Sequence, residues 1–334
     1  MSKSEDIADE VTRRQIELER YKKGFQIRMQ KVIDGVLASI IARVAALPEG
    51  PSKERLRKVA VEIMAMSKKL EVRISKAMLK ELKKLAGIEA SYIQSVLDTY
   101  IPPEVQVSIG LPSAESIRRA VEIEPFQGRV LEKWAKSVGT VTADRARVQI
   151  NIGMAEGESI HRITRRVREV TRQTRRDTDV IVRTAVNHVS NAVKRDVYKA
   201  NDDIIKGVQW RSTLDGRTSA ICRSRDGKTY PIDKHPTPPA HPNCRSVIVP
   251  VLKSFKELGV DLGEIDDGTR ASMNGQVPAN LNYNDWLKKQ PKEFIESVLG
   301  KARTKLFLDG RATMDKFVDY KGKLIPLEEL RTKL

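Results

Sequence analysis

The sequence predicts a mainly α protein, in which helical domains flank a small β-hairpin cysteine/histidine knuckle near residues 207–250. Apolar residues recur at spacings of three and four over long stretches, which is the periodicity of one helix face. Aromatic residues make up only 5% of the chain, which favours aliphatic packing between helices over a β-sandwich. The two cysteines, Cys222 and Cys244, lie where this periodicity gives way to turn residues.

The first hundred residues predict an N-terminal helical domain. Apolar positions at helical spacing run from Leu18 to Ile40, and the prolines of residues 48–51 end this helix because proline has no amide donor. A second helix is expected after Ser52, and a third over Ser75 to Tyr100. The region therefore predicts three helices.

A helical region follows after the prolines at 102 and 103. The alternation of residues 105–109 predicts a short strand, and helices are expected to resume near Ser113, Gly128 and Thr142. His188 lies in a further helical stretch without a nucleophile or carboxylate partner, which favours a packing role for it.

These changes of pattern predict four consecutive segments. They are an N-terminal helical domain at 1–100, a helical region at 101–206, the knuckle at 207–255 and a small helical segment at 256–334. In the last segment, the large apolar residues are expected to anchor short helices rather than to form a ligand site: Trp286, Phe294, Val298, Leu306 and Phe317.

The charge balance predicts proximity to a polyanion. Lys+Arg 61 against Asp+Glu 44 leaves a formal charge of +17, which raises affinity for DNA, RNA or an acidic surface. The polar N-terminus lacks a signal-peptide apolar region, and the run from Val36 to Leu47 is too short for a bilayer and is interrupted by Arg43. We therefore expect no membrane partner. With only two cysteines, no disulfide framework is expected and a reducing compartment is the natural setting.

Arginine is concentrated between His161 and Arg183. One interpretation is a solvated helix face with occasional acidic partners, and the other is a surface that faces nucleic-acid phosphates. No interleaved aromatic residues supply base stacking, so sequence-specific reading is disfavoured. The candidate nucleic-acid contacts are Arg162, Arg165, Arg166, Arg168, Arg172, Arg175 and Arg176.

The knuckle carries a candidate metal site. Cys222, His241 and Cys244 combine two thiolates with an imidazole, the ligand types that suit tetrahedral zinc. A closed structural site needs a fourth ligand, yet Ser219 stands where a C-x2-C pair would place the other cysteine. His235, Asp215, Asp226 or water could complete the shell. The alternative is that the three side chains are reduced and hold a compact loop by packing.

A family resemblance becomes specific in this stretch. The order and spacing of several motifs resemble the phage Mu F-like head-morphogenesis family, over about residues 120–255: Arg183-Thr184, Trp210, Asp215-Gly216-Arg217-Thr218-Ser219, Cys222, Asp226-Gly227-Lys228 and Pro239-Ala240-His241-Pro242-Asn243-Cys244-Arg245-Ser246. Many members have a further cysteine where this chain has Ser246. The C-terminal segment resembles that of many minor head proteins more weakly, at Tyr283-Asn284-Asp285-Trp286-Leu287 and Phe317-Val318-Asp319.

The resemblance implies a minor head, or minor capsid, structural protein of a tailed bacteriophage that is not an enzyme. Such a protein acts in head assembly at the portal or inner capsid surface, near packaged DNA. The implied partners are the portal protein, the major capsid or scaffolding protein and non-specifically contacted DNA, with no small-molecule substrate. The implied location is inside the phage head, and the host cytoplasm during assembly.

Two competing functions remain open on the sequence. A zinc-stabilised nucleic-acid-binding protein would use the basic charge, although no recognition helix is recognisable. A phage-delivered nuclease or transferase would need a carboxylate cluster, and the aspartates near the knuckle, Asp215, Asp226 and Asp233, lie in turn contexts that favour local hydrogen bonding.

Overall fold

The computed structural model describes residues 3–105, 107–260 and 268–333. Helices dominate the described chain, and the mainly α fold class is confirmed. In chain order the α-helices are α1 Lys3–Ala45, α2 Lys53–Tyr100, α3 Ala114–Arg118, α4 Leu131–Ala155, α5 Ile160–Ala200, α6 Ala220–Arg225, α7 Tyr283–Lys288, α8 Lys292–Leu299, α9 Lys301–Leu308 and α10 Leu327–Lys333. A 3-10 turn covers Pro103–Val105, and a π-helical turn at Arg119–Ile123 continues α3.

Five short strands form two antiparallel sheets among the described residues. They are β1 Ile205–Arg211, β2 Thr229–Pro231, β3 Val247–Leu252, β4 Thr269–Ser272 and β5 Gly275–Pro278. The first sheet has the order β2-β1-β3, with Val208 opposite Tyr230 on one side and opposite Pro250 on the other. The strands β4 and β5 form a separate hairpin. The expected knuckle thus contains a three-stranded sheet, and its loop connects β1 with β3.

The N-terminal region has two long helices where the sequence predicted three. The expected end near residue 48 is confirmed, because α1 stops at Ala45. The separation of a second and a third helix was wrong, since α2 runs unbroken from Lys53 to Tyr100. No proline lies between Ser52 and Tyr100, and the single glycine there, Gly87, is tolerated inside the helix.

The strand expected at residues 105–109 is absent from the part of this stretch that the structure describes, and Gln106 lies outside the described residues. The backbone directly after this stretch binds an asparagine side chain. The Gly110 amide donates to Asn201 Oδ1 over 2.8 Å, and Asn201 Nδ2 donates to the Gly110 carbonyl over 3.0 Å. Alternation alone does not make a strand when no second strand offers its backbone.

Packing divides the chain into two compact units, each built from separated segments. Unit 1 comprises residues 1–18, 88–116 and 190–334, and unit 2 comprises residues 19–87 and 117–189. Residues of α1, α2 and α5 are therefore shared between the units. The four consecutive segments expected from the sequence stay a prediction about domain organisation.

Unit 2 is helical and has a largely aliphatic interior. Phe25, Ile33, Leu70 and Val167 are buried along its helices. His188 is buried, its Nε2 lies 3.1 Å from the Ala120 carbonyl, and its ring stacks on that of Phe126. The packing role expected for this histidine is confirmed.

Unit 1 holds a buried ion pair beneath its helical part. The Glu89 carboxylate accepts hydrogen bonds from Arg14 Nε at 2.9 Å and Ser190 Oγ at 2.7 Å, and it pairs with Lys194 Nζ at 3.3 Å. The side chains of Glu89 and Lys194 are fully buried. Burial raises the pKa of Glu89, but the neighbouring cations and the Ser190 hydroxyl lower it more, so its pKa lies below the usual value.

The C-terminal part of unit 1 is an apolar cluster formed by short helices. Trp286, Leu306 and Phe317 are buried in it, and Phe294 and Val298 pack against its edge. The packing role expected for these five residues is confirmed.

None of the described helices combines the length and apolarity that a membrane crossing requires.

Candidate metal centre and arginine-rich surface

The knuckle occupies the connection between β1 and β3, and all of its residues belong to unit 1. Its centre is a small buried cluster of Trp210 with Cys222 and Cys244. Trp210 comes from β1, Cys222 from α6, and Cys244 from the loop just before β3. Because β1 and β3 pair in register from Arg211 opposite Val247, the sheet brings the two ends of the loop together.

Three potential ligand atoms converge in this cluster. One atom each from Cys222, His241 and Cys244 lies within 4.8 Å of the other two. The two Sγ atoms are 3.7 Å apart, and His241 Nε2 lies 3.3 Å from Cys222 Sγ. Both cysteines are free thiols and buried. Folding therefore brings together the three residues that the sequence nominated.

The orientation of the His241 ring is set by the backbone. Nδ1 lies 2.8 Å from the Pro242 carbonyl oxygen, which can only accept, so Nδ1 carries the proton in the neutral ring. Nε2 then carries the lone pair, which accepts a hydrogen bond from Ser219 Oγ at 2.7 Å, and it lies 3.3 Å from Cys222 Sγ. A histidine held in this way is ready to bind a metal through Nε2.

The two thiols share their protons unequally. A hydrogen bond from the Cys222 thiol lowers the pKa of Cys244 well below its usual value, against the effect of burial. The same hydrogen bond, together with burial, raises the pKa of Cys222 well above its usual value. His241 lowers the pKa of Cys244 further. Of the two thiols, Cys244 is therefore the stronger acid.

The donor set fits zinc. Two thiolates on one tetrahedral zinc ion, each at about 2.3 Å from the metal, lie about 3.8 Å from each other. The observed Sγ separation of 3.7 Å is close to that value without any rearrangement of the loop. Cys222, His241 and Cys244 would hold such an ion, whose role with thiolate and imidazole ligands is to cross-link the loop.

The residues expected as a fourth ligand lie outside this group of ligand atoms. His235 Nδ1 faces the Pro236 carbonyl at 3.2 Å, and burial lowers the pKa of this histidine. Asp215 binds Arg245 through both carboxylate oxygens, at 2.7 and 2.9 Å. Burial raises the pKa of Asp215, but the Arg245 hydrogen bonds lower it more, so its pKa is below the usual value. The fourth ligand stays a prediction.

A second carboxylate frames the knuckle, and sequence reasoning missed its role. Asp226 pairs with Arg270, both of whose terminal nitrogens lie 3.0 Å from its oxygens. Asp226 also accepts from the amides of Ser212, at 2.5 Å, and Tyr283, at 2.7 Å. It therefore ties the end of β1 to the β4-β5 hairpin and to the start of α7.

A hydroxyl next to the cysteine cluster completes this frame. Ser212 Oγ donates to the Cys222 carbonyl at 2.8 Å and accepts from Trp210 Nε1 at 2.9 Å. It also lies 3.2 Å from Ser246 Oγ. The backbone that carries Cys222 is thus held from β1 and from the start of β3, which leaves the ligand cluster little freedom to change shape.

Comparison with known proteins identifies the part of the chain that contains this centre. The model of the family described as "Phage Mu protein F like protein" matches residues 144–249. The resemblance deduced from the motifs is thereby confirmed, and it supports a role in phage head morphogenesis and a place in the virion. No curated protein and no solved structure matches the chain significantly.

The Mu F-like match covers about a third of the 334 residues. It includes Cys222, His241 and Cys244, the second half of α4 and the whole of α5. The weaker resemblance of the C-terminal segment lies outside the matched residues, and it stays a prediction.

The arginine-rich part of the Mu F-like region lies on α5 within unit 2. Arg162, Arg165, Arg168, Arg172 and Arg176 are exposed, whereas Arg166 and Arg175 are half-buried. A shallow surface groove is lined by five of the arginines and two glutamates: Glu158, Arg162, Arg165, Arg166, Arg168, Glu169 and Arg172. We call this groove the α5 arginine groove.

Some of these arginines have acidic partners. Arg166 binds Glu156 at 2.6 Å and Glu158 at 2.7 Å, and Arg175 binds Asp34 at 2.9 Å. Arg172 pairs with Glu169 at 2.8 Å. The α5 arginine groove nevertheless carries more positive than negative side chains, so both interpretations of the arginine-rich segment have structural support: a solvated face with ion pairs, and a surface for phosphates.

Proposed function

We propose that this chain is a minor head structural protein of a tailed bacteriophage, which acts in head assembly at the portal or inner capsid surface. The observation that carries the proposal is the Mu F-like match over residues 144–249. Its partners are the portal protein and the major capsid or scaffolding protein, with packaged DNA nearby. The protein works inside the head, and it joins the head in the host cytoplasm during assembly.

In this proposal the knuckle is an architectural element that a zinc ion cross-links. Support comes from the spacing of the two Sγ atoms, from the unprotonated Nε2 that His241 turns toward Cys222, and from the hydrogen bonds that hold the Cys222 backbone. A loop closed in this way presents a fixed surface to a protein partner. It does so at a lower entropic cost than a flexible loop of the same length.

The chain acts without catalysing a reaction. A nuclease or transferase site near the knuckle would need carboxylates free to bind a metal or to move a proton. Asp215 is held by Arg245 and by the Thr218 hydroxyl, and Asp226 is held by Arg270 and two backbone amides. Both carboxylates are therefore engaged in holding the fold.

The α5 arginine groove contacts DNA phosphates without reading sequence. Its guanidinium groups suit phosphate oxygens, and the absence of aromatic residues from its lining removes the stacking contribution that base recognition uses. Each phosphate interaction that a mutation removes should reduce the dependence of binding on salt by about 0.9 in the logarithmic slope.

The head role is tested by disrupting the gene in the phage that encodes the chain and supplying the protein in trans. We expect purified heads to contain the chain, and we expect its loss to lower the yield of infectious particles while host growth continues. Heads that never contain the chain, by mass spectrometry of both immature and mature particles, would show the proposal to be wrong.

The DNA contact is tested with the full chain and a fluorescent duplex over a range of salt concentrations. Reversing the charge of four of the five groove arginines, Arg162, Arg165, Arg168 and Arg172, to Glu should flatten the logarithmic salt slope by about 3 to 4. A control variant reverses four exposed lysines elsewhere, Lys301, Lys305, Lys316 and Lys323, and has the same net charge. Equal logarithmic salt slopes for the two variants would show that the α5 arginine groove does not contact DNA phosphates.

A further inference from the structure

The outward face of α2 carries large apolar side chains that are more than half exposed. Val61 is 67% exposed, Met64 is 55% exposed and Val72 is 60% exposed. All three lie in unit 2, within one unbroken helix. We call these three residues the α2 apolar stripe.

Helix geometry places the three residues of the stripe on one face of α2. At about 100° per residue, positions 61, 64 and 72 fall within a sector of about 80°. Ile63, Leu70 and Ile74 lie on the opposite side of α2 and are buried. Burial of these three residues fixes the rotation of α2 about its axis, so the side chains of the stripe stay exposed to solvent. From Val61 to Val72 it spans about 16 Å, or three helical turns.

The surroundings of the stripe are strongly basic. Residues 53–80 contain nine Lys or Arg against three Glu. Lys68 is exposed within the sector of the stripe, between Met64 and Val72, and Lys69 and Lys76 are exposed beside it. Two of the glutamates have partners within unit 2, since Glu62 pairs with Arg43 and Glu71 accepts from Thr140. The field at this face is therefore positive.

This combination selects one kind of occupant. A second copy of the same face would bring like charges together, and duplex DNA would gain nothing from valine and methionine side chains at the most outward positions. An α-helix with apolar residues at spacings of three and four, flanked by Asp or Glu, would cover the stripe and pair with the lysines. We propose that the α2 apolar stripe docks an acidic amphipathic helix of a partner protein.

The docking surface goes beyond the proposed head role and stands on the exposed side chains and charges of α2 alone. It is also separate from the α5 arginine groove, whose lining holds charged residues only. The two surfaces would therefore select different ligands, one an acidic helix with apolar residues and the other a chain of phosphates.

The test uses the full chain and a designed, fluorescently labelled peptide of about three heptads, with Leu at helical spacing and Glu on both flanks. Controls are a scrambled peptide of the same composition and a version with Lys in place of Glu. We expect the designed peptide to bind, and both controls to bind at least about tenfold more weakly.

Two variants of the chain locate the binding on the stripe. The triple variant V61S/M64S/V72S and the charge variant K68E/K69E/K76E should each weaken binding at least about tenfold. The matched control I27S/V141S/V148S replaces three other exposed apolar residues of unit 2 and should bind as the wild type does. All these positions are exposed, and unchanged helical circular dichroism would confirm that each variant folds.

Several results would overturn the proposal. These are equal binding of the scrambled peptide, unchanged binding by the triple variant, or equal loss in the matched control. Self-association of the chain that the triple variant abolishes would assign the stripe to a second copy instead. Binding to duplex DNA or to anionic phospholipid vesicles that the triple variant abolishes would assign it to those ligands.

Discussion

Removing the Asp226 carboxylate should destabilise the knuckle far more than removing an exposed carboxylate at the same distance from its partner. Asp226 and Arg270 pair at 3.0 Å with side chains 0% and 2% exposed. Glu257 and Lys206 also pair at 3.0 Å, yet their side chains are 49% and 46% exposed. Both pairs lie in unit 1, so they differ chiefly in their access to water.

The size of the effect follows from what Asp226→Ala leaves behind. Arg270 becomes a buried cation without its counter-charge, which costs about 3–5 kcal/mol. The amides of Ser212 and Tyr283 lose their acceptor, at about 1–3 kcal/mol each when they stay buried. These contributions overlap, because Arg270 keeps the carbonyls of Ser212 and Leu281 as acceptors. We therefore expect a loss of about 5 kcal/mol.

Hydrogen exchange measured by mass spectrometry reports this loss locally, in peptides that contain Ser212 and Tyr283. Asp226→Ala should speed exchange in both peptides, while the control Glu257→Ala should leave both unchanged. The double variant D226L/R270M removes both charges and should recover about 2 kcal/mol of the loss. The reasoning is refuted if Asp226→Ala and Glu257→Ala give the same exchange rates.

Three further predictions test other parts of the structure. Ser219→Cys places a third thiol 22 residues before His241 and should raise the zinc affinity, measured by competition with a chelator, at least about tenfold. Unchanged affinity would show that position 219 does not supply the fourth ligand. Glu89→Gln should cost about 3–5 kcal/mol at neutral pH, because it removes the carboxylate counter-charge of the buried Lys194 ammonium. The folded pKa of Glu89 is lowered, so its contribution exists above the unfolded pKa of about 4.3 and is lost as pH falls through the folded value. The gap between wild type and variant in urea unfolding should therefore narrow only in acid, and a gap that stays constant down to that range would contradict the assignment. Gly139→Ala brings a Cβ within 2.6 Å of the Ser67 carbonyl oxygen and should destabilise unit 2 by about 1–3 kcal/mol. The Cβ of Gly35→Ala meets nothing within 4 Å, so this control should stabilise unit 2 by about 0.5–1 kcal/mol. Thermal unfolding that ranks the two alanine variants in the opposite order would contradict the packing described around Gly139.

The ligand cluster was predictable from the sequence because its signal is local. Cys222, His241 and Cys244 lie within 23 residues, and turn residues fill the loop between them. The spacing of the His-Pro-Asn-Cys run alone places two ligands on one turn. The mainly α fold class was equally predictable, since helical periodicity accumulates over long stretches.

The frame of the knuckle was not predictable from the sequence. Asp226 and Arg270 are 44 residues apart, and each has a common local explanation, the aspartate as a turn former. Only tertiary structure brings them together in a buried site. Likewise the alternation at residues 105–109 predicted a strand, but no strand pairs with the described residues of this stretch, and the backbone that follows it, at Gly110, binds the Asn201 side chain.

The α2 apolar stripe shows a different limit. Periodicity identifies apolar faces of a helix but does not say which of them the core takes. In α2, Leu70 and Ile74 face the core, while Val61 and Val72 face outward. Only the packing of the other helices of unit 2 decides between these faces, so the exposure of the stripe could not be predicted from the sequence.

An asymmetric reconstruction of assembled heads from the phage that encodes the chain tests the central claim most directly. The account predicts density for the chain inside the head, at the portal or inner capsid surface, with the loop of Cys222, His241 and Cys244 closed and packed against a protein neighbour. Particles without the chain at any stage of assembly, or a knuckle loop that opens to bind a small substrate, would contradict it.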